Sequence, residues 1–189
     1  MVHPMARVCA VFLTAVLTVP AAQAGAILFA MGRVPLDQHD GAMPGAVLRS
    51  CKVTSIHDGD SMRVRCPGYQ DTLRIRLDQI DAPELDQAHG IESRDFLRTL
   101  CPVGHSAVIH DLGPDNYNRH LGRVFCNDVD VNAAMIDSGS AWVYDYHATD
   151  KSLSSLQNSA RSAKRGLWSA SKKPVPPWDF RYRQRRGRP

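Results

Sequence analysis

Between residues 61 and 79 apolar and polar side chains alternate in two successive runs, and that period of two constrains the fold more than any other feature. Met62, Val64 and Cys66 stand against Ser61, Arg63 and Arg65; further on, Leu73, Ile75 and Leu77 stand against Arg74, Arg76 and Asp78. Alternation of this kind gives strands with one buried and one wet face, as in an antiparallel sheet or a small barrel. Val53 to Ile56 reads as a preceding strand, and Asp58-Gly59 between the first two is a dipeptide favoured in a two-residue hairpin loop. With that loop, His57 faces Asp60, Val53 faces Val64 and Cys51 faces Cys66. The register therefore proposes a Cys51–Cys66 disulfide and leaves Cys101 to pair with Cys126.

The rest of the chain fills out one domain. The third strand spans 72–79 and is ended by Pro83; two more lie at 107–112 and 121–126. A helix is expected over 91–101, with Phe96, Leu97, Leu100 and Cys101 at helical spacing and Pro102 and Gly104 closing it. Others follow at 131–138 and at 150–165, the latter with a stripe of Leu153, Leu156 and Ala160. Five strands, a helix between the third and fourth and helices after the fifth give an α+β fold, a five-stranded OB-fold β-barrel with three packed helices. Its bounds are 51–169, with no internal repeat and no second domain.

Both ends read differently. Arg7, the apolar run Val8 to Val19 and Ala22-Gln23-Ala24 have the charged, apolar and small-x-small order of a signal peptide over 1–24. An uncleaved anchor is the alternative, although the apolar run is short for a membrane span. Residues 25–50 lack a sustained period and read as a flexible leader. After Pro174, Pro176 and Pro177, Arg181, Arg183, Arg185, Arg186 and Arg188 crowd the end, so 170–189 reads as an extended, mobile basic tail. Such a tail suits nucleic-acid backbone or an anionic surface, or is simply solvated. Net charge is only +4, which permits a polyanionic partner without requiring one. Without C-x-x-C spacing or paired histidines, the four cysteines of the mature part suit disulfides in an oxidising compartment better than zinc.

Two segments beyond the hairpin carry chemistry: Arg76-Leu-Asp-Gln-Ile-Asp81-Ala-Pro-Glu84 and Asp115-Asn-Tyr-Asn-Arg119. Guanidinium groups grip two phosphate oxygens at once and stabilise the charge that builds on phosphorus during attack by water. Asp58 and Asp60 flank a turn, where aspartate is common for local reasons. Asp81, on a strand that pairs with the hairpin, adds a further carboxylate and makes an oxygen-ligand site for a hard cation. The loop lacks the later ligands of an EF-hand. A carboxylate such as Glu84 beside a cation can act as a general base. Scattered, solvated surface charge remains the alternative for each residue taken alone.

In order along the chain, Asp58-Gly-Asp60-Ser61, Arg76 to Glu84, Asp115 to Arg119, Val131-Asn132, Gly139-x-Ala141-Trp142 and Gly166-Leu-Trp168 resemble the thermonuclease family, of which staphylococcal nuclease is the best known member. The resemblance covers about residues 51–168. It implies Arg76, Glu84 and Arg119 as catalytic residues. Asp60 and Asp81 match direct calcium ligands, the Ala82 carbonyl a backbone ligand, and Asp58 a ligand acting through water. Tyr117 matches a tyrosine near the bound phosphate, while Tyr144 and Tyr146 offer a base-stacking surface or core packing. The implied activity is calcium-dependent hydrolysis of phosphodiesters in single- or double-stranded DNA and RNA, leaving 3′-phosphate ends. The protein is expected to be secreted or periplasmic, monomeric and free of stable membrane association. Two rivals are a non-catalytic nucleic-acid-binding OB-fold module and a structural protein at the cell surface. Three departures from the family pattern stand out: Ser61 for the usual Thr, Asn118 for the usual Gly, and a short span, Leu85 to Gly90, between Glu84 and the helix. Asn118 is compatible with left-handed backbone.

Overall fold

Alternation puts Met62 and Val64 on one side of β2 (Ser61–Arg65) and Ile75 and Leu77 on one side of β3 (Leu73–Leu77), all four essentially without solvent contact. They meet Val53 of β1 (Val47–Ile56), Ile109 of β5 (Ser106–Pro114) and Val124 of β6 (His120–Cys126), which are equally buried. The computed structural model describes residues 45–146 and 148–187. The signal-peptide reading and residues 25–44 of the leader lie outside the described residues.

β1 pairs antiparallel with both β2 and β5, β2 with β3, and β5 with β6; a parallel pairing of β3 with β6 closes the ring. The expected five-stranded OB-type barrel is thus present, and closure removes the open edges of the sheet. A second, two-stranded sheet joins β4 (Ile80–Asp81) to β8 (Trp142–Val143), and the short β7 (Val129–Asp130) turns back to pair antiparallel with the end of β6. The helices α1 (Gly90–Leu100), α2 (Val131–Asp137) and α3 (Lys151–Ser162) match the three expected. Leu97, Met135 and Leu153 carry them onto the core. No helix among the described residues is long and apolar enough to cross a membrane.

Three readings need correction. The hairpin is not closed by a two-residue loop. A bulge between Val53 and Ser55 shifts the register, so Val53 still faces Val64 but Ile56 faces Met62. The wider loop lets Asp58 Oδ1 accept from the Asp60 N–H at 3.2 Å and the Ser61 hydroxyl at 2.7 Å, a local aspartate turn. Because the shift lies beyond Val53, the cysteines keep their partners: Cys51 pairs with Cys66 and Cys101 with Cys126.

Ordered structure also begins before Cys51. β1 starts at Val47, where its backbone ladder with β5 begins opposite Asp111, and Arg49 on it donates to Asp111 Oδ2 at 2.6 Å. The end of the chain is not an extended tail either. Pro177–Arg186 form α4, a fourth helix, with Pro177 in its first turn. The Trp178 ring sits 5.9 Å from Trp142 and 5.8 Å from Tyr144, so aromatic packing holds a segment whose charge alone argues for solvent.

Asp111 ties three strands together. Besides Arg49, it accepts from the Gly113 N–H at 2.9 Å and lies 2.9 Å from His120 Nδ1. Burial alone would raise its pKa, but these bonds outweigh burial and hold the carboxyl below its ordinary value. A depressed carboxyl pKa stabilises the fold above the unfolded value of 3.8, and that contribution is lost as pH falls through the lower folded value. Asp111→Asn should therefore cost about 2 kcal/mol at neutral pH. Denaturant titrations of both chains should show the gap narrowing once the medium is more acidic than the usual carboxylate range.

Candidate active site

Closure of the barrel decides which side chains meet. Arg76 on β3 lies opposite Leu121 on β6, so Arg76 and Arg119, which immediately precedes β6, reach the same rim. The turn after β3 is pinned from two sides. Asp78 donates its N–H to the Gly122 carbonyl at 2.9 Å. Gln79, in a left-handed conformation with φ of 62°, accepts on Oε1 from the N–H groups of Thr149 and Asp150 at 2.7 and 2.8 Å. The chain then returns through β4 and lays Asp81, Ala82 and Glu84 beside the β1–β2 loop that carries Asp58 and Asp60.

Arg76 is the hub. Its side chain is mostly buried and donates from Nη1 to the carbonyls of Leu77 and Ile80 at 3.1 and 2.8 Å. Nη2 donates to Asp81 Oδ1 at 2.8 Å, and Nη1 lies 3.1 Å from Asp60 Oδ2. That Asp60 oxygen also accepts from the Ala82 N–H at 2.6 Å. One guanidinium thus holds two carboxylates in register.

Glycines allow this crowding. A Cβ on Gly59 would stand 1.9 Å from the Ser93 hydroxyl and 2.8 Å from Ala82 Cβ; one on Gly90 would stand 1.9 Å from the Glu84 carbonyl oxygen. The short Leu85–Gly90 span is therefore folded tightly against α1. Gln87 reinforces it, donating its N–H to the Glu84 carbonyl at 2.9 Å and accepting from the Glu84 N–H on Oε1 at 3.2 Å.

Arg119 is arranged by its own loop. Asp115 Oδ1 accepts from the N–H groups of Tyr117 and Arg119 at 2.8 and 2.9 Å, and its Oδ2 accepts from Arg119 Nε and Nη2 at 2.9 and 2.7 Å. Asn118 has φ of 55°, so the left-handed position expected where the family has glycine is met by asparagine. The Tyr117 ring is exposed, with the Arg119 guanidinium carbon 5.3 Å from its centroid.

Asp58, Asp60, Arg76, Asp81, Ala82, Glu84, Tyr117, Arg119 and Tyr144 all line one open cleft of about 1050 Å³. Tyr146 is highly exposed beside Tyr144, with ring centroids 5.4 Å apart. Arg181, Arg185 and Trp178 of α4 line the same cleft and were missed in the sequence. Pro177 followed by Trp178 and Phe180 was the available signal, a proline suited to a helix start with apolar residues behind it. Arg181 reaches furthest in. Its Nη2 donates to Asp81 Oδ2 at 2.8 Å, and its Nη1 to Glu84 Oε1 at 2.9 Å and Asp81 Oδ1 at 3.2 Å. Burial would lower the Arg181 pKa, but these carboxylates raise it above the ordinary value.

The site is rich in negative charge. Burial, opposed by Arg76 and reinforced by the charges of Asp58 and Asp81, pushes the Asp60 carboxyl up to about 7. Among the described residues no three His, Cys, Asp or Glu side chains gather closely enough to form a complete metal cage. The donors nevertheless fit a hard cation that keeps other ligands from water or phosphate. They are oxygen only, two of them are buried carboxylates aligned by Arg76, and the charge on Asp60 is incompletely offset.

A closed five-stranded barrel with helices packed on it places the chain in the class of OB-type domains, here with aligned carboxylates and two arginines at one rim. The staphylococcal nuclease homologue family profile matches residues 74–170. An endonuclease of Escherichia coli O157:H7, described as uncharacterized, is 42% identical over 134 residues, which are 70% of this chain and 85% of that protein. Protein ParB of Escherichia coli is 36% identical over 141 residues, 69% of this chain and 77% of the relative. The probable staphylococcal-like nuclease CAN2 of Oryza sativa subsp. japonica is 31% identical over 166 residues, 82% of this chain and 45% of the plant protein. The chain belongs to the staphylococcal nuclease homologue family, and this membership supports a nuclease.

The packing at Gly90 makes a direct test. Gly90→Ala should force the Glu84 backbone away from α1 and lower stability by about 1–3 kcal/mol. Thermal melting with amide chemical-shift mapping checks it, with the largest shifts expected over residues 83–91.

Proposed function

We propose that the protein is an exported, calcium-dependent nuclease that hydrolyses phosphodiester bonds of DNA and RNA with low sequence specificity and leaves 3′-phosphate ends. The observation that carries this reading is the convergence of Arg76, Arg119, Glu84, Asp60 and Asp81 on one cleft. Asp60, Asp81 and the Ala82 carbonyl would hold Ca²⁺, with Asp58 acting through water. When bound, the ion neutralises phosphate charge and favours attack by water.

The chain's own groups account for the remaining chemistry. The Glu84 carboxylate takes a proton from the attacking water as the new P–O bond forms. Arg76 and Arg119 donate to the non-bridging oxygens, where negative charge grows in the five-coordinate state. The P–O5′ bond then breaks, the 5′ oxygen leaves as a hydroxyl by taking a proton from solvent water, Glu84 returns its proton to solvent, and the phosphate stays on the 3′ side. Asp115 holds Arg119 in place, so the guanidinium loses little freedom when phosphate arrives. Exposed Tyr117 and the nearby Tyr144 suit stacking of bases without reading their edges, which supports low sequence specificity. Two disulfides support an oxidising compartment, and the nuclease descriptions of the relatives support the reaction class.

A non-catalytic nucleic-acid-binding module is the second reading. One observation favours it: Arg181 already engages Glu84 and Asp81. Digestion of plasmid and single-stranded DNA with Ca²⁺, with chelator, and with end-group analysis separates the two. We expect cleavage that chelator stops and 3′-phosphate products. Glu84→Gln should lower kcat by about 10²–10⁴-fold with binding largely retained, and Arg119→Ala by about 10²–10³-fold. DNA bound but intact under Ca²⁺ at every pH would establish the binding module.

A further inference from the structure

The guanidinium of Arg181 and a cation would both need the Asp81 carboxylate, and Arg181 holds the Glu84 carboxylate as well. Both Asp81 oxygens and Glu84 Oε1 lie within 2.8–3.2 Å of Arg181 nitrogens. Arg181 belongs to α4, which lies beyond residue 170, where the family match ends. It therefore lies outside the residues matched by the family profile.

α4 is docked through a small number of contacts. Its approach is fixed by Gln87 Nε2, which donates to the Val175 carbonyl at 2.6 Å, and by Trp178 against Trp142 and Tyr144. Beyond Arg181 the helix thins out: Tyr182 to Arg186 are all exposed, and Gln184 holds Asp86 at 2.7 Å on the surface. Elements with little buried area open at low free-energy cost. Tethering gives the guanidinium a high effective concentration at the carboxylates without making the contact permanent.

We propose that α4 is a built-in competitor for the cation, in which Arg181 occupies the carboxylates of Asp81 and Glu84 and cation binding expels it. The inference rests on the cation reading of the cleft given above. With Arg181 docked, Asp81 and Glu84 are both engaged, so cation and proton acceptor are withheld together. Release of α4 exposes both and sets free an arginine helix beside the cleft, where Arg185 also lies. The same sequence of events makes the cation threshold for activity a property of the helix as well as of the ligands.

Calorimetric titration of the full chain, Arg181→Ala and Gln184→Ala with Ca²⁺ tests this, together with the rate of trypsin cleavage after Arg183 and Arg185 with and without Ca²⁺. Arg181→Ala should bind Ca²⁺ about tenfold more tightly. Gln184→Ala, which loosens α4 without touching either carboxylate, should gain a smaller factor, and Ca²⁺ should speed cleavage of α4 in the unaltered chain. Equal or weaker Ca²⁺ binding by both variants, with α4 cleavage indifferent to Ca²⁺, overturns the competitor while leaving the cation site intact. No Ca²⁺ binding by any of the three chains overturns the competitor and the cation reading together.

Discussion

Parallel pairing of β3 with β6 is the contact on which the site depends. The other strands meet as antiparallel neighbours, but this one joins segments more than forty residues apart, with Ile75 opposite His120 and Leu77 opposite Gly122. Asn132 secures the junction, its Oδ1 accepting from the Val124 N–H at 3.0 Å and its Nδ2 donating to the carbonyls of Asp78 and Gly122 at 2.9 and 3.2 Å. A buried amide with three partners is well satisfied, and losing it would leave backbone groups unpaired in the core. Arg76 and Arg119 stand together because this seam exists.

Around the seam, opposite charges are distributed so that each cation has a local reason for its position. Arg76 is wedged between two backbone carbonyls and two carboxylates, and Arg119 is held by Asp115. Asp60 is different, because burial works against its charge and its neighbours are mostly of like sign. Uneven satisfaction of this kind is characteristic of sites kept for chemistry rather than for stability.

Much of the barrel was legible because its strands are one-sided. Met62, Val64, Ile75 and Leu77 announce a buried face by period alone, and Val53 opposite Val64 survives the bulge. The bulge itself was not legible: Asp58-Gly59 is good tight-turn chemistry, and the close approach of Gly59 to Ser93 and Ala82 involves segments distant in sequence. Among the site residues, charge type suggested the grouping of Arg76, Asp81, Glu84 and Arg119 and the resemblance supplied their roles; the cleft they share is what the structure adds. α4 escaped because its arginine density resembles a solvated tail. The partners that order it, Asp81, Glu84 and Trp142, are distant in sequence, and local composition carries no trace of them.

The loop that presents Arg119 has its own logic. A single side chain, Asp115, divides its labour: one oxygen shapes the backbone of Tyr117 and Arg119, and the other seizes the guanidinium that this backbone delivers. Form and charge are thereby locked into a single heritable module of five residues. Anyone transplanting this arginine-presenting loop to a different scaffold would have to move Asp115 through Arg119 whole, since the arginine without its aspartate would arrive unaimed.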